Sequence, residues 1–203
     1  MNYSEKKTFF DELAPQWEEM YDAQKLMRIN TIFNNELSFL KSPVLDMGSG
    51  TGILLPEFYS HFNHNSFILE LDISADMLKQ AQKIHPVNGV KYTQSDGHYL
   101  PLKPESFNSV VCFQVFPHFY NKQTVMKEIF RILKPAGYLV ILHLMGHREL
   151  NEMHRQAGHA VKKDRIISAE KMAEHLEAHS FLLNKTVERK DLYLVTAQKP
   201  SLL

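Results

Sequence analysis

The sequence predicts an α/β fold, in which a doubly wound, mostly parallel sheet of seven strands ends in an antiparallel hairpin. Short apolar runs alternate with segments of helical periodicity along the chain, and this alternation is typical of a parallel sheet with helices on both faces. A glycine-rich turn follows the first apolar run. The last two apolar runs are separated by only a few polar residues, and a connection that short joins antiparallel neighbours.

The predicted strands are the short apolar runs. Five of them precede the hairpin and cover Pro43–Met47, Ser66–Leu71, Val90–Gln94, Phe107–Phe113 and Gly137–Leu144. The hairpin consists of the segments SFLLNKTVE and LYLVTAQK. Ligands of open parallel sheets bind beyond the carboxyl ends of the strands, so the residues at those ends are the first candidates for a site.

The predicted helices carry apolar residues three and four positions apart, which form one buried stripe. These stripes are Met77, Leu78, Ala81 and Ile84, then Val125, Ile129, Ile132 and Leu133, and finally Met172 and Leu176. Ser74 and Ser168 cap the first and third of these helices. Pro135 and Gly137 end the second.

Composition excludes several classes of protein. A chain of 203 residues suits a single domain. Lys plus Arg and Asp plus Glu balance at 23 each, so no net field draws the chain to nucleic acid or to an acidic membrane surface. The only cysteine, Cys112, excludes a disulfide framework and a thiolate-rich metal site, and it favours a cytoplasmic setting. The N-terminus lacks the apolar core of a signal peptide, and YLVILHLM is too short to span a membrane.

The glycine-rich turn in PVLDMGSGTGILLPEF indicates which ligand it holds. Its glycines, Gly48, Gly50 and Gly52, are spaced G-x-G-x-G, whereas the dinucleotide fingerprint is G-x-G-x-x-G. Asp46 precedes the first glycine, and its charge would repel a pyrophosphate while favouring a positively charged ligand. No Gly-Lys followed by Ser or Thr occurs in the chain, which excludes a Walker phosphate loop.

Four segments together resemble class I S-adenosylmethionine-dependent methyltransferases, especially the group that includes ubiquinone and menaquinone biosynthesis enzymes. These segments are VLDMGSGTG, LDISADML, SDGHYLPL and FNSVVCFQVFPHF. They follow the family's order, and the resemblance extends from about Phe9 to the last strand. It implies a Rossmann-like methyltransferase fold, S-adenosylmethionine as the cofactor and methyl transfer to a small-molecule acceptor.

The resemblance also implies which residues hold the cofactor. The first segment would hold the amino acid part, Asp72 would accept both ribose hydroxyls, and Asp96 and Gly97 would meet the adenine. A carboxylate at a strand end suits two adjacent hydroxyl donors. The full set of implied cofactor contacts is Trp17, Tyr21, Asp46, Gly48, Ser49, Gly50, Thr51, Gly52, Asp72, Ile73, Met77, Ser95, Asp96, Gly97 and Gln114.

The sequence departs from the family pattern at two positions. Glu70 stands where the family often has glycine, and strand alternation puts it on the same side as Asp72, so either acid could serve the ribose. Asp72 is favoured because Ser74 and Met77 follow it at the family's spacing. Asn108 stands where the family commonly has aspartate, and there we expect only a local packing effect.

Histidines concentrate after the fourth and fifth strands. His118 and His143 are candidate general bases for an acceptor that arrives protonated, or they only shape the pocket. The loop after the fifth strand is expected to wall the acceptor site through His147, Arg148 and His154. No metal site is expected, because these histidines, with His159, lack carboxylate or thiolate partners at a recognisable spacing.

The chain is expected to be one methyltransferase domain, with an N-terminal helical lid over residues 1–40 and a Rossmann-like core over 41–203. The segment FFDELAPQWEEMYD, which contains Trp17 and Tyr21, resembles the family's lid. Two alternatives remain open: a non-catalytic module that binds S-adenosylmethionine, and a nucleotide-dependent oxidoreductase.

Overall fold

A computed structural model describes residues 3–62, 66–157 and 160–201. Its strands are β1 (Val44–Met47), β2 (Ile68–Asp72), β3 (Val90–Gln94), β4 (Phe107–Phe113), β5 (Leu133–His143), β6 (Leu182–Arg189) and β7 (Leu192–Gln198). They form one seven-stranded sheet in the order β3-β2-β1-β4-β5-β7-β6. The first five strands are parallel, and β7 runs antiparallel to both β5 and β6. The predicted fold class is confirmed.

Seven α-helices flank this sheet in the described residues. They are α1 (Tyr3–Leu13), α2 (Ala23–Glu36), α3 (Leu55–His61), α4 (Ala75–Ile84), α5 (Lys122–Ile132), α6 (His147–Gln156) and α7 (Ala169–Ala178). Short 3-10 helices cover Ala14–Met20 and Phe116–His118. The predicted caps are confirmed, because the hydroxyls of Ser74 and Ser168 accept hydrogen bonds from backbone N–H groups at the starts of α4 and α7.

Strand alternation sends side chains into two separate cores. In β1, Val44 joins the core under α2 and α3, and Leu45 joins the core under α5 and α7. In β4, Val111 and Cys112 divide in the same way. Both faces of the central strands are therefore buried, as expected for a parallel sheet.

Two details differ from the sequence prediction. Strand β5 begins at Leu133 rather than Gly137, and Leu133 pairs with Phe107 before a bulge. Leu133 and Lys134 precede Pro135, and the residue before a proline is disfavoured in a helix, so the chain becomes extended earlier than the apolar stripe indicated. Ile84, predicted to be in the buried stripe of α4, is 39% exposed.

The strand order reverses between β1 and β4, because β2 and β3 extend the sheet on one side and β5 on the other. A reversal of this kind leaves a crevice at the carboxyl ends of the two central strands. The described residues contain no helix that is long and apolar enough to cross a membrane.

Candidate functional site

The turn after β1 presents bare backbone at the carboxyl edge of the sheet. Gly48 has a φ of +77°, a left-handed conformation that residues with a Cβ rarely adopt. A Cβ on Gly48 would lie 2.2 Å from Val115 Cγ2, so glycine allows the segment after β4 to pack against the turn. A Cβ on Gly50 would lie 3.2 Å from Trp17 Nε1. The N-terminal segment therefore covers this turn from the other side.

Asp72 ends β2 and connects two loops. Its Oδ2 accepts a hydrogen bond from Gly50 N at 2.8 Å, and its Oδ1 accepts one from Ser74 N at 2.8 Å. Burial raises the pKa of Asp72 to about 6, although these backbone donors favour the ionised form. Each carboxylate oxygen has a second lone pair, so Asp72 retains capacity to accept further hydrogen bonds from a ligand.

Asp46 and Glu70 are opposite neighbours in the register of β1 and β2, and both are buried. Burial and repulsion from Asp72 raise the pKa of Asp46 well above its ordinary value of 3.8. Burial and repulsion from Asp46 likewise raise the pKa of Glu70. Asp46 and Asp72 are among the described residues along the cleft, and Glu70 is not. Asp46 Oδ1 has no hydrogen-bond partner in the described part of the chain.

The segment after β3 is held by a histidine. Asp96 Oδ1 accepts a hydrogen bond from His98 N at 3.0 Å and also contacts His98 Nδ1. His98 Nε2 accepts from Asn121 N at 3.1 Å, and its ring stacks on Tyr120 with centroids 3.6 Å apart. Because Nε2 is an acceptor, Nδ1 carries the proton and donates it to Asp96. The other Asp96 oxygen has no part in these bonds.

The segment after β4 carries backbone strain. Gln114 has a φ of +55°, which is costly for a residue other than glycine and is often found at functional sites. Its Nε2 donates to the Tyr21 hydroxyl at 2.8 Å. Burial and the charge of Glu18 raise the pKa of Tyr21, so this phenol stays neutral beside the cleft.

The N-terminal segment closes the cleft mainly through polar contacts. Ser74 Oγ donates to Asp11 Oδ1 at 2.5 Å, and Thr51 Oγ1 donates to Glu18. The Trp17 ring lies 6.0 Å from Phe10 in an edge contact. These contacts fix the segment directly above the glycine turn.

The resulting cleft has two lobes. The residues shared by both lobes are Gly48, Asp72, Val115 and His118. The first lobe adds Trp17, Tyr21, Asp46, Ser49, Gly50, Met77 and Gln114. The second lobe adds Ile73, Ser95, Asp96, Gly97, His98 and Tyr120.

A third, apolar cavity adjoins the first lobe. Most of its lining is aromatic or aliphatic, and it includes Phe9, Phe10, Leu13, Leu144, Met145, Leu150, Met153 and Val161. Lys25 and Arg28 are also on its wall, and Gln114, Tyr21 and His118 belong to both this cavity and the first lobe. His118 therefore lies where all three spaces meet.

His118 belongs to a buried polar cluster. Its Nδ1 lies 2.7 Å from Asp164 Oδ2, and Lys6 Nζ lies 2.7 Å from Asp164 Oδ1. Lys6 also donates to the His118 carbonyl. The ring of His154 lies 5.0 Å from that of His118, and it forms part of the wall of the apolar cavity.

The structure does not bring every candidate to the cleft. His143 is buried at the end of β5, edge-on to Tyr193. His147 pairs with Glu188, and Arg148 is exposed. None of these three is among the described residues that line the cleft or the apolar cavity. His159 lies outside the described residues.

Two members of the glycine segment also face away from the cleft. Thr51 is bonded to Glu18, and a Cβ on Gly52 would meet Leu55 Cδ1 at 2.8 Å. Gly52 therefore serves the packing of α3.

Sequence reasoning missed Lys6 and Asp164. Asp164 lies in a polar loop, 46 positions from His118, with no periodicity or motif to mark it. The described residues contain no group of three or more His, Cys, Asp or Glu side chains arranged to hold a metal ion.

Comparisons with known proteins agree with this geometry. A family described as "Methyltransferase domain" matches residues 45–141, which run from β1 to β5. The ubiquinone/menaquinone biosynthesis C-methyltransferase UbiE of Wigglesworthia glossinidia brevipalpis is 31% identical over 142 residues, or 66% of this chain. That match covers 56% of the relative, so the chain matches little more than half its length.

Solved structures share the fold at lower identity. A SAM-dependent methyltransferase from Aquifex aeolicus matches with a TM-score of 0.65 and 20% identity, covering 98% of each chain. The cyclase SpnF matches with a TM-score of 0.74 and 17% identity, over 97% of this chain and 96% of its own. The family implies S-adenosylmethionine as the cofactor. By its matched family, its fold and its relatives, the chain is similar to the class I S-adenosylmethionine-dependent methyltransferases.

Proposed function

We propose that the chain binds S-adenosylmethionine in the two-lobed cleft and transfers its methyl group to a small acceptor in the apolar cavity. The observation that carries the proposal is the continuity of these spaces. Acids from the ends of β1 and β2 face the first lobe, and an apolar cavity opens directly from it.

The two acids of the first lobe support a cationic ligand, because a nearby positive charge would favour their ionised forms. The described wall of this lobe contains the carboxyl groups of Asp46 and Asp72 and no Lys or Arg. Asp46 Oδ1 is buried without a partner in the described part of the chain, and an unpaired buried polar atom is costly. The ammonium group of the cofactor's amino acid part would supply a donor there, beside the backbone of Gly48 and Gly50.

Groups suited to the ribose and the adenine lie between the two lobes and in the second lobe. Asp72 lies between the lobes with lone pairs to spare, so we assign it the two ribose hydroxyls. Asp96 has one oxygen outside its bonds with His98, and we assign that oxygen the adenine amino group, with Gly97 against the ring. Ile73 and Ser95 line the second lobe and Met77 the first, where they would pack around the adenosine.

When bound, S-adenosylmethionine supplies a methyl group on a sulfonium, which a nucleophile displaces in line. The chain then has to place the nucleophile and exclude water, which are the main contributions to such a reaction. Trp17, Tyr21 and Gln114 cover the junction between the first lobe and the apolar cavity. They are suited to both tasks.

The apolar cavity supports a small, largely apolar acceptor. Its aromatic and aliphatic walls favour such a molecule, and the relative from Wigglesworthia is named for methylation in quinone biosynthesis. The balance of 23 basic and 23 acidic residues gives no support for a nucleic acid acceptor.

We also propose that the chain is one methyltransferase domain with a lid formed by α1 and the Ala14–Met20 segment. This lid is shorter than the predicted 1–40. Helix α2 carries Ile29 and Phe33 into the core, so it belongs with the body of the domain.

Isothermal calorimetry tests the cofactor. The chain should give saturable heats with S-adenosylmethionine and S-adenosylhomocysteine and no comparable heat with NAD or NADP. Mass spectrometry of a metabolite mixture incubated with the chain and the cofactor should then reveal a product heavier by one methyl group.

The outcomes separate the alternatives. Nicotinamide binding without a response to S-adenosylmethionine would favour an oxidoreductase and contradict the proposal. Cofactor binding without any methylated product in a broad screen would favour a binding module.

A further inference from the structure

We propose that His118 accepts a proton from the acceptor, that Asp164 and the lid residue Lys6 position it, and that the apolar cavity takes a flat molecule with a weakly acidic O–H or N–H. This inference rests on the proposed function and adds the chemistry of the acceptor. It concerns three side chains from distant parts of the chain: α1, the turn after β4, and the connection between α6 and α7.

The three side chains form a buried chain of contacts. Lys6 Nζ meets Asp164 Oδ1 at 2.7 Å, and Asp164 Oδ2 meets His118 Nδ1 at 2.7 Å. The side-chain exposures of Lys6, Asp164 and His118 are 9%, 11% and 14%. Removing one partner from a buried ion pair leaves an uncompensated charge and destabilises the fold. The three side chains therefore depend on one another.

The cluster decides which nitrogen of His118 carries the proton. Burial raises the pKa of Asp164, but the hydrogen bond from His118 and the contact with Lys6 leave it below its ordinary value of 3.8. An ionised carboxylate can only accept hydrogen bonds. Nδ1 of His118 therefore carries the hydrogen, and Nε2 on the opposite side of the ring is left with a lone pair.

The ring is neutral and ready to accept a proton. Burial lowers the pKa of His118 below its ordinary value of 6.5, and Asp164 offsets only part of this effect. Lys6 and Lys122 lower it further. The buried rings of His143 and His154 also face this region, and both have lowered pKa values.

The position of His118 where the cavities meet gives the lone pair on Nε2 a role. The residue lines both lobes of the cleft and the apolar cavity. Phe10 packs edge-on against its ring at 5.2 Å, so the lid shields it from water. A base at this junction is useful only when the acceptor carries a proton that must leave. Thioethers and tertiary amines have no such proton, so they are not the acceptors that this base would serve.

The step balances in atoms and charge. A bond forms between the acceptor atom and the methyl carbon, and the bond between that carbon and sulfur breaks. The electron pair of the broken bond stays on sulfur, which loses its positive charge. The proton of the acceptor passes to Nε2 of His118, which becomes an imidazolium beside the Asp164 carboxylate, and water removes that proton after product release.

Lid closure completes the cluster. Lys6 is on α1 and reaches both Asp164 and the His118 carbonyl. When α1 lifts, Asp164 loses a cationic partner and His118 loses the cover of Phe10. The base is therefore fully arranged only when the cleft is closed over its ligands.

Nitrogen-15 NMR of histidine rings tests the arrangement without any acceptor. The His118 signal, assigned by its loss in His118→Gln, should have the Nδ1–H tautomer and titrate below pH 6.5. Asp164→Asn should lower that pKa further, because it removes the neighbouring negative charge. Glu188→Gln is the matched control, since it removes the carboxylate that pairs with His147, and it should leave the His118 titration unchanged.

Lys6→Met should raise the pKa of His118, because it removes a cation that faces the ring. Lys7→Met is its matched control, since Lys7 pairs with Asp11 on the same helix. An Nε2–H tautomer, or equal titration of His118 in the wild type and Asp164→Asn, would overturn the proposal.

Turnover provides the second arm. S-adenosylhomocysteine release should be measured with a panel of aromatic hydroxyl and N–H compounds, and with thioethers and tertiary amines of matched size. Turnover should be confined to the first group and fall by about 100-fold or more in His118→Gln. Asp164→Asn should lower kcat and move the acidic limb of the pH profile to lower pH, with little change in the KM for the cofactor.

The two proposals fail in different ways. Retained cofactor binding with methylation that is unaffected by His118→Gln, or confined to thioethers and tertiary amines, would contradict the role of His118 as a base and leave the proposed methyltransferase activity intact. Absence of cofactor binding in the wild type would remove both.

Discussion

At the scale of single residues, Asp72 shows how one carboxylate can shape a loop and recognise a ligand. It holds the backbone of Gly50 and Ser74, so the glycine turn and the start of α4 are fixed by the group to which we assign the ribose. Glu70 is buried beside Asp46 but stays behind the cleft wall. The two acids, indistinguishable by strand alternation, therefore have different surroundings.

Replacement of these acids tests the assignment. Asp72→Ala should weaken S-adenosylhomocysteine binding by about 1.5–3 kcal/mol, the usual value of hydrogen bonds to a charged group. Glu70→Ala should cost less, because Glu70 makes no wall of the cleft. Calorimetry measures both, and a thermal melt of each variant controls for loss of folding. A greater loss with Glu70→Ala would show that Glu70 is the ribose acid.

At the scale of elements, the sequence predicted what depends on local pattern. The bounds of β3 and β4 and the cap of α4 were correct, because alternation, glycine and side-chain caps act over a few residues. The start of β5 was missed because Leu133 fits both a helical stripe and a strand. The proline at 135 and pairing with Phe107 decide between them.

The cluster around His118 could not be predicted in the same way. His118 could be singled out because it follows β4, at an edge where ligands bind. Asp164 and Lys6 have no local pattern, and their role depends on contacts across 46 and 112 positions. These contacts form only in the folded chain, where α1 and the loop before α7 come together at the edge of the sheet.

The end of β5 contributes a pH dependence to stability. His143 is 1% exposed, and neither ring nitrogen has a partner among the described residues. Burial, and then the neighbouring His118 and His154, lower its pKa from 6.5 to about 3. Below pH 6.5 the unfolded chain therefore binds a proton that the folded chain does not, and stability falls as the pH falls.

Replacing His143 by leucine should remove this dependence. One pKa unit corresponds to about 1.4 kcal/mol, so between pH 6.5 and 5 the wild type should lose about 2 kcal/mol more than His143→Leu. Urea unfolding at several pH values measures the difference. His175→Leu, on the exposed side of α7, is the control and should keep the dependence of the wild type. Parallel curves for His143→Leu and the wild type would contradict this account.

At the scale of the whole molecule, the N-terminal region divides into two parts with different attachment. Helix α2 buries Ile29 and Phe33, and full burial of such side chains contributes about 1.5–3 kcal/mol each. In α1, Phe9, Phe10 and Leu13 are only half-buried. The firm attachments of this first part are polar, which is typical of a segment that opens locally.

Truncation and fluorescence test whether α1 and Ala14–Met20 act as a lid. A chain that begins at Asp22 keeps the α2 cap, in which Asp22 Oδ1 accepts from Lys25 N at 2.8 Å. It should melt close to the full chain, because the buried anchors of α2 remain, and it should bind S-adenosylhomocysteine much more weakly, because Trp17 and Tyr21 are gone. In the full chain, Trp17 is the only tryptophan, so its emission reports on the lid alone.

Adding S-adenosylhomocysteine should give a saturable change in the intensity or emission maximum of Trp17, since a ligand in the first lobe lies beside its ring. NAD, added at the same concentration, is the control and should leave the emission unchanged. An unchanged spectrum at ligand saturation, together with full affinity in the truncated chain, would mean that the segment only packs against the sheet. Trp17 and Tyr21 would then no longer be assigned to the cofactor site, and the lid would not account for the shielding of His118 from water.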